Sequence, residues 1–163
     1  MTFDITKPCY TIDTGSLIKM FRDDSVYSKK HFKSLWENVS KLFSEGVIIS
    51  HIEVFEEIKN GGIDDDLFIW AKANKGFFLD YDIPKETNVI ADIGEKFMSF
   101  SHQKKEKSAH ADPWLVAQAK SQGLTVITEE AKTGGEKIPK VCQEFGVDCI
   151  DLLGLIKKYN WVF

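Results

Sequence analysis

Five short apolar runs, interleaved with longer stretches whose apolar residues recur every three or four positions, constrain this chain more than any other feature. Cys9-Tyr10-Thr11-Ile12, Val47-Ile48-Ile49, Phe77-Phe78-Leu79, Thr125-Val126-Ile127 and residues 147–150 are too short for helices and read as buried strands. Between the first two, Leu35, Val39 and Leu42 share one helix face, and Gly46 ends that helix. Val54 and Ile58 imply a helix running to Gly61-Gly62. Further helices are expected over residues 67–73, 89–100, 114–119, 138–145 and 152–158, with Gly76, Gly123 and Gly146 as stops before the next strand. Strands alternating with helices imply βαβ units, whose crossovers cover both faces of a parallel sheet. No repeat, low-complexity tract or linker interrupts the pattern, so residues 1–163 read as one domain. The longest polar segment, SHQKKEKS at residues 101–108, is expected as an exposed loop.

Formal net charge is −4, which excludes a general nucleic-acid coat protein but not a nuclease. A cluster of metal-binding acids itself contributes negative charge that bound cations offset. With 43% hydrophobic residues the chain can bury a core without covalent staples. Its three cysteines are odd in number and lack a CxxC pair, so neither a disulfide framework nor a zinc site is indicated. Cys9 and Cys149 fall in strand-like runs and are expected as small buried hydrophobes. MTFDITKPCYTID has neither the basic start nor the apolar run of a signal peptide, and no apolar stretch approaches bilayer length. The expectation is a reducing cytoplasm and no membrane.

In open α/β sheets, ligands bind beyond the carboxyl ends of the strands. Asp13 follows the first strand directly, and Glu129 and Glu130 follow the fourth. Glu53 and Glu57 lie four apart in the first turns of the helix after the second strand, and so on one face. Asp112 opens a helix that must run antiparallel to the sheet, which brings its start to the same edge. Acids from four segments thus project to one rim. Like charges gathered there repel unless a cation joins them, and oxygen-only ligands suit Mg²⁺ or Mn²⁺. Singly, each acid has a plainer account. Asp112 before Pro113 makes an N-cap with proline at the first helical position. Glu53, Glu56 and Glu57 are acids at a helix start, and Glu129 and Glu130 are solvated turn residues. The convergence carries the expectation.

Other motif readings fail. Ile12-Asp13-Thr14-Gly15-Ser16 spells the aspartic-protease signature, but that chemistry belongs to an all-β fold. A haloacid-dehalogenase-type phosphatase needs a second aspartate where Gly15 stands. Gly61-Gly62 and Gly134-Gly135 lack the spacing of phosphate-binding loops. A receiver-like regulator using Asp80 or Asp82 would need paired acids after the first strand, and these are missing.

Four blocks, in order, resemble the PIN-like domain family. Tyr10-Thr11-Ile12-Asp13-Thr14-Gly15-Ser16-Leu17-Ile18 resembles its opening strand, hydrophobic-Asp-Thr-x-small-Leu-Ile. Ile49-Ser50 with Val54-Phe55-Glu56-Glu57-Ile58 resembles the second block, where a glutamate precedes an aliphatic residue, which points to Glu57 over Glu56. Ala111-Asp112-Pro113-Trp114-Leu115-Val116-Ala117-Gln118-Ala119 resembles the third, and Val126-Ile127-Thr128-Glu129-Glu130 the fourth. The ending, from Ile138-Pro139-Lys140-Val141-Cys142 to Trp161, resembles a bacterial subfamily of PIN-like proteins. The resemblance implies a three-layer α/β/α sandwich around a parallel sheet of about five strands in the order 3-2-1-4-5. It also implies Mg²⁺- or Mn²⁺-dependent endoribonuclease activity. One departure is clear: glutamate stands where the fourth motif usually has aspartate. Glu130 is the expected fourth ligand and Glu129 its competitor.

On this reading Asp13, Glu57, Asp112 and Glu130 hold the metal and carry catalysis, with Thr14, Ser16 and Thr128 orienting them. His51 and His110 lie close by in sequence, though a lone histidine is more often structural. Lys104, Lys105 and Lys107 would grip the phosphates of single-stranded RNA. As many relatives are toxins of toxin–antitoxin pairs, an antitoxin and a second copy of the chain are candidate partners. The alternative is a non-catalytic PIN-like module that binds nucleic acid or protein without cutting it.

Overall fold

The computed structural model describes residues 7–62, 65–101 and 111–163. Its centre is a five-stranded, all-parallel sheet: β1 (Tyr10–Ile12), β2 (Ile48–His51), β3 (Phe78–Leu79), β4 (Thr125–Ile127) and β5 (Cys149–Ile150). The strand order is β3-β2-β1-β4-β5, so β1 is central. Tyr10 pairs with Ile48 on one side and Thr125 on the other, and Ile12 pairs with Ile127. The fold class expected from the sequence is therefore present, including the order.

Period-two alternation divides the strand residues between two layers. Tyr10, Ile12, Ile48 and Ile127 join one hydrophobic cluster, with residues of helices α1 (Thr14–Phe21), α2 (Lys33–Ser44), α3 (Ile52–Gly61), α4 (Asp66–Ala73) and α9 (Leu152–Lys158). Ile49 and Val126 join the other, with residues of α5 (Ile83–Lys96), α6 (Met98–Ser101), α7 (Ala111–Gln122) and α8 (Ile138–Glu144). Ala111 and Leu115 of α7 also reach the first cluster. Both faces of the sheet are covered, as parallel strands require.

A buried polar thread ties the sheet centre to α7. Thr11 Oγ1 donates to Gln118 Oε1 at 2.6 Å, Gln118 Nε2 donates to the Ser50 carbonyl at 3.1 Å, and Ser50 Oγ donates to the Ile12 carbonyl at 2.7 Å. These contacts hold α7 against β1 and β2, the strands that end next to Asp13 and the start of α3. Gly123 and Gly146 stop α7 and α8 with φ of 69° and 67°, a left-handed conformation that glycine adopts without Cβ strain.

Several local expectations need correction. Residues 14–21 form a full helix, absent from the helices expected above; Asp13 caps it by accepting from Ser16 N. The helix expected over residues 89–100 is two helices broken at Phe97, and the first begins earlier, with Pro84 in its opening turn. Phe97 and Phe100 are both buried, so apolar spacing continues through a backbone that does not. Phe77 belongs to a 3₁₀ turn rather than to β3. Cys9 is exposed, not buried, because the described strand begins one residue later. Among the described residues, no helix is long and apolar enough to cross a membrane.

Candidate functional site

Because β1 is central and its neighbours run parallel, the carboxyl ends of β1, β2 and β4 share one rim. Asp13 leaves β1 there, buried at 3% exposure. Its Oδ1 accepts from Ser16 N at 2.8 Å, and its Oδ2 accepts from Thr128 Oγ1 at 2.5 Å. Glu57, in α3, accepts from Thr14 Oγ1 at 2.6 Å and from Ala111 N at 3.0 Å. That second bond binds the start of α7 to α3 and places Asp112, the next residue, beside the same opening. Asp13, Glu57, Asp112, Glu129 and Glu130 all line one cleft of about 450 Å³, with Thr14 and Lys19 at its wall.

The two glutamates after β4 have different fates. Glu130 shares the cleft with Asp112, and its Oε2 accepts from Ile138 N at 2.8 Å. Glu129 turns away to the start of α9, where Oε1 accepts from Leu152 N at 2.6 Å, and Oε2 stands 3.8 Å from Lys19 Nζ. Thr128 links the pair to Asp13: it donates to the aspartate and accepts from Glu130 N at 3.1 Å.

The electrostatics are those of acids with too few partners. Burial pushes the Asp13 carboxyl up to about 6, against hydrogen bonds from Ser16 and Thr128 that act in the opposite direction. Asp112 is also raised, first by burial and then by the carboxylates of Glu130, Glu57 and Asp13.

The donor set is all oxygen and acidic, which is the chemistry of a hard divalent cation. Ser16 Oγ, buried in the first turn of α1, has no hydrogen-bond partner among the described residues. By donor chemistry the residues fit Mg²⁺ or Mn²⁺. As arranged, however, Asp13, Glu57 and Glu130 already accept hydrogen bonds from within the protein. Among the described residues, no group of three or more His, Cys, Asp or Glu side chains is placed to hold a metal ion. To hold one, Glu57 or Glu130 would have to give up part of its hydrogen bonding at a helix start.

Other expected residues fall elsewhere. Glu53 does not enter the cleft; it accepts a hydrogen bond from the Tyr81 hydroxyl. His51 is buried and structural: Nδ1 accepts from Glu53 N at 3.1 Å, and Nε2 lies 3.0 Å from Glu86 Oε1. Lys104, Lys105, Lys107 and His110 lie outside the described residues. Sequence reasoning missed Lys19, the cation beside Glu129, and Gln118, the hub of the buried thread. Lys19 carries no local signal as a surface helix residue. Gln118 does: it is a polar residue inside the apolar run Leu115-Val116-Ala117-Gln118-Ala119.

Among curated proteins, none matches this chain. A family model does match, from Tyr10 at the start of β1 to Phe163, and so spans every residue of the cleft. The chain belongs to that family, described as a domain of unknown function (DUF4411).

Proposed function

We propose that this protein is a metal-dependent endoribonuclease of the PIN-like type, acting on single-stranded RNA in the cytoplasm. The observation that carries the reading is the gathering of Asp13, Glu57, Asp112 and Glu130 around one cleft, with two of their carboxyls raised by burial and mutual repulsion. Perturbed acids clustered in a cleft are the ordinary mark of a site. Asp13, Glu57, Asp112 and Glu130 would hold Mg²⁺ or Mn²⁺. Bound there, the cation would supply an activated water and neutralise charge on the scissile phosphate. The protein's own part is positioning. Ser16 N and Thr128 fix Asp13, Thr14 fixes Glu57, and Glu130 N holds Thr128. Lys19 at the wall and Arg22, which lines an adjoining cleft of about 480 Å³, would meet RNA phosphates. Within this reading the chain is the toxin of a toxin–antitoxin pair, with an antitoxin protein and a second copy of itself as partners.

The test is cleavage of a labelled single-stranded RNA with and without Mg²⁺ or Mn²⁺. Cleavage should require metal and fall by at least about a hundredfold in Asp13→Asn and Asp112→Asn, each checked for a native circular-dichroism spectrum. Equal cutting in chelator would refute the metal reading.

A second reading has its own support. Asp13 and Glu57 already accept hydrogen bonds from within the protein, and Glu130 holds the start of α8. This favours a PIN-like module that binds nucleic acid or protein without cutting it. RNA retained by wild type and Asp13→Asn alike, with no cleavage in either, would select it.

A further inference from the structure

At the end of β2, one buried imidazole touches both helices that carry Glu57 and Asp112. His51 closes the start of α3, where its Nδ1 accepts from Glu53 N at 3.1 Å. Its ring stacks on Trp114 of α7, with 5.6 Å between centroids, and Tyr81 stands across both rings at 75° and 74°. Glu57 lies further along α3, and Asp112 shares the opening turn of α7 with Trp114. The hydrogen bonds also fix where the ring proton sits. A nitrogen that accepts presents a lone pair, so neutral His51 carries its hydrogen on Nε2 and donates it to Glu86 Oε1 at 3.0 Å. With a hydrogen on Nδ1 instead, the ring would aim one donor at another, the Glu53 amide. The two side chains are 0% and 1% exposed, so bulk water does not stand in for a lost partner. Glu86 Oε2 has no hydrogen-bond partner among the described residues, which leaves His51 as the group that orients this carboxyl. Glu86 belongs to α5, which packs against α7.

We propose that Glu86 and His51 are positioning residues: Glu86 locks His51 in its Nε2–H form, and the locked ring sets the starts of α3 and α7 so that Glu57 and Asp112 meet at the metal-binding cleft of the function proposed above, on which this role rests. The ring holds α3 through the Glu53 amide and α7 through the face of Trp114. Where those two starts meet, Ala111 N donates to Glu57 Oε1 at 3.0 Å, and that bond reports whether they stay in register. Groups that orient metal ligands from behind typically govern affinity by about 10- to 100-fold. Acting through a helix start and not on a ligand directly, this pair falls at the lower end.

The test uses the full chain. Nitrogen-15 spectra of the wild-type imidazoles near neutral pH should show His51 with a hydrogen on Nε2 and a bare Nδ1. A hydrogen on Nδ1 would overturn the proposal, and this measurement needs no variant to fold. Glu86→Ala should weaken Mn²⁺ binding about tenfold by calorimetry. It should also speed hydrogen exchange at the Ala111 amide about tenfold, because α3 and α7 lose their common pin. Glu86→Gln, whose side-chain carbonyl still accepts from Nε2–H, should restore both. Ile93→Ala empties a buried apolar position of the same helix and should change neither. If Ile93→Ala matches Glu86→Ala in both readouts, or Glu86→Ala keeps wild-type values, the pair is only a fold contact and the proposal fails. A wild type that binds no Mn²⁺ would sink the metal reading instead. Exchange at Ala111 would then still decide whether the pair holds the two helix starts together, faster exchange in Glu86→Ala supporting it and unchanged exchange overturning it.

Discussion

Two polar clusters sit along the same rim of the sheet and treat buried charge in opposite ways. In the cleft, Asp13, Glu57, Asp112 and Glu130 line one opening, and among the described residues the cation paired at its wall is Lys19, with Glu129. At the end of β2, by contrast, His51 and Glu86 are closed off together, with side chains 0% and 1% exposed. His51 stacks on Trp114 at 5.6 Å between ring centroids and meets the edge of Tyr81 at 5.1 Å. Aromatic rings pack on the histidine that partners the closed acid, whereas the four acids of the cleft are left around an opening. The closed cluster still has one loose end, since Glu86 Oε2 lacks a hydrogen-bond partner among the described residues. The lesson is energetic: breaking the closed pair removes stability, while relieving the open group adds it.

The closed pair should give the largest effect. Glu86→Ala strands the His51 Nε2–H in a dry aromatic box, at a cost of about 3 kcal/mol by urea unfolding. A loss under about 1 kcal/mol would mean that water reaches the pair, and the contrast between the clusters would collapse.

Next comes pH. Asp13 has a native pKa of about 6 against an ordinary value of 3.8, and Asp112 is raised too. Between those values the native state keeps protons that the unfolded chain has released. These groups therefore make stability fall as pH rises from about 4 through about 6, and Asp112 extends the fall above that. In chelator, wild type should lose on the order of 2 kcal/mol across the window relative to Asp13→Asn/Asp112→Asn. Parallel melting curves for the two proteins from pH 4 to 8 would show that the acids are not strained.

A smaller gain should come from Asp112→Asn alone. Near neutral pH, without metal, it should stabilise by about 1 kcal/mol, because the folded chain no longer has to protonate, or hold charged, a buried carboxyl set among like charges. Mg²⁺ or Mn²⁺ should raise the melting temperature of wild type more than that of this variant, since a cation relieves the same repulsion. The reverse ranking in a thermal shift assay would remove the cation from the account.

Lys19→Ala should have the smallest effect on folding, below about 0.5 kcal/mol, because its contact with Glu129 is half-exposed. If RNA is the substrate, the same change should raise KM more than it lowers kcat. A stability loss above about 1 kcal/mol would make Lys19 a structural counter-ion of the cleft.

Much of this molecule is legible without coordinates. The strand runs, the parallel sheet and the convergence of acids on one rim follow from apolar periodicity and from what βαβ units do. The misses share a cause. Apolar spacing reports burial, not backbone continuity, so the break at Phe97 leaves no mark in it, Phe97 and Phe100 both being buried. The helix after Asp13 was hidden by Thr14-Gly15-Ser16, a turn-like string whose cap is a hydrogen bond from Ser16 N.

The sequence by itself determined which acids lie at strand and helix ends, because one residue's place in a strand or helix is a local matter. Tertiary packing alone decided how each of them is used. It turned Glu129 to the start of α9 and Glu130 to the start of α8, although the two are adjacent in the chain. It paired His51 with Glu86 and hung Glu57 between Thr14 and Ala111 N. Partners so far apart in sequence are chosen by how layers of helix meet on the sheet. Which carboxylate is then satisfied, and which is left against its own kind, is a property of that packing.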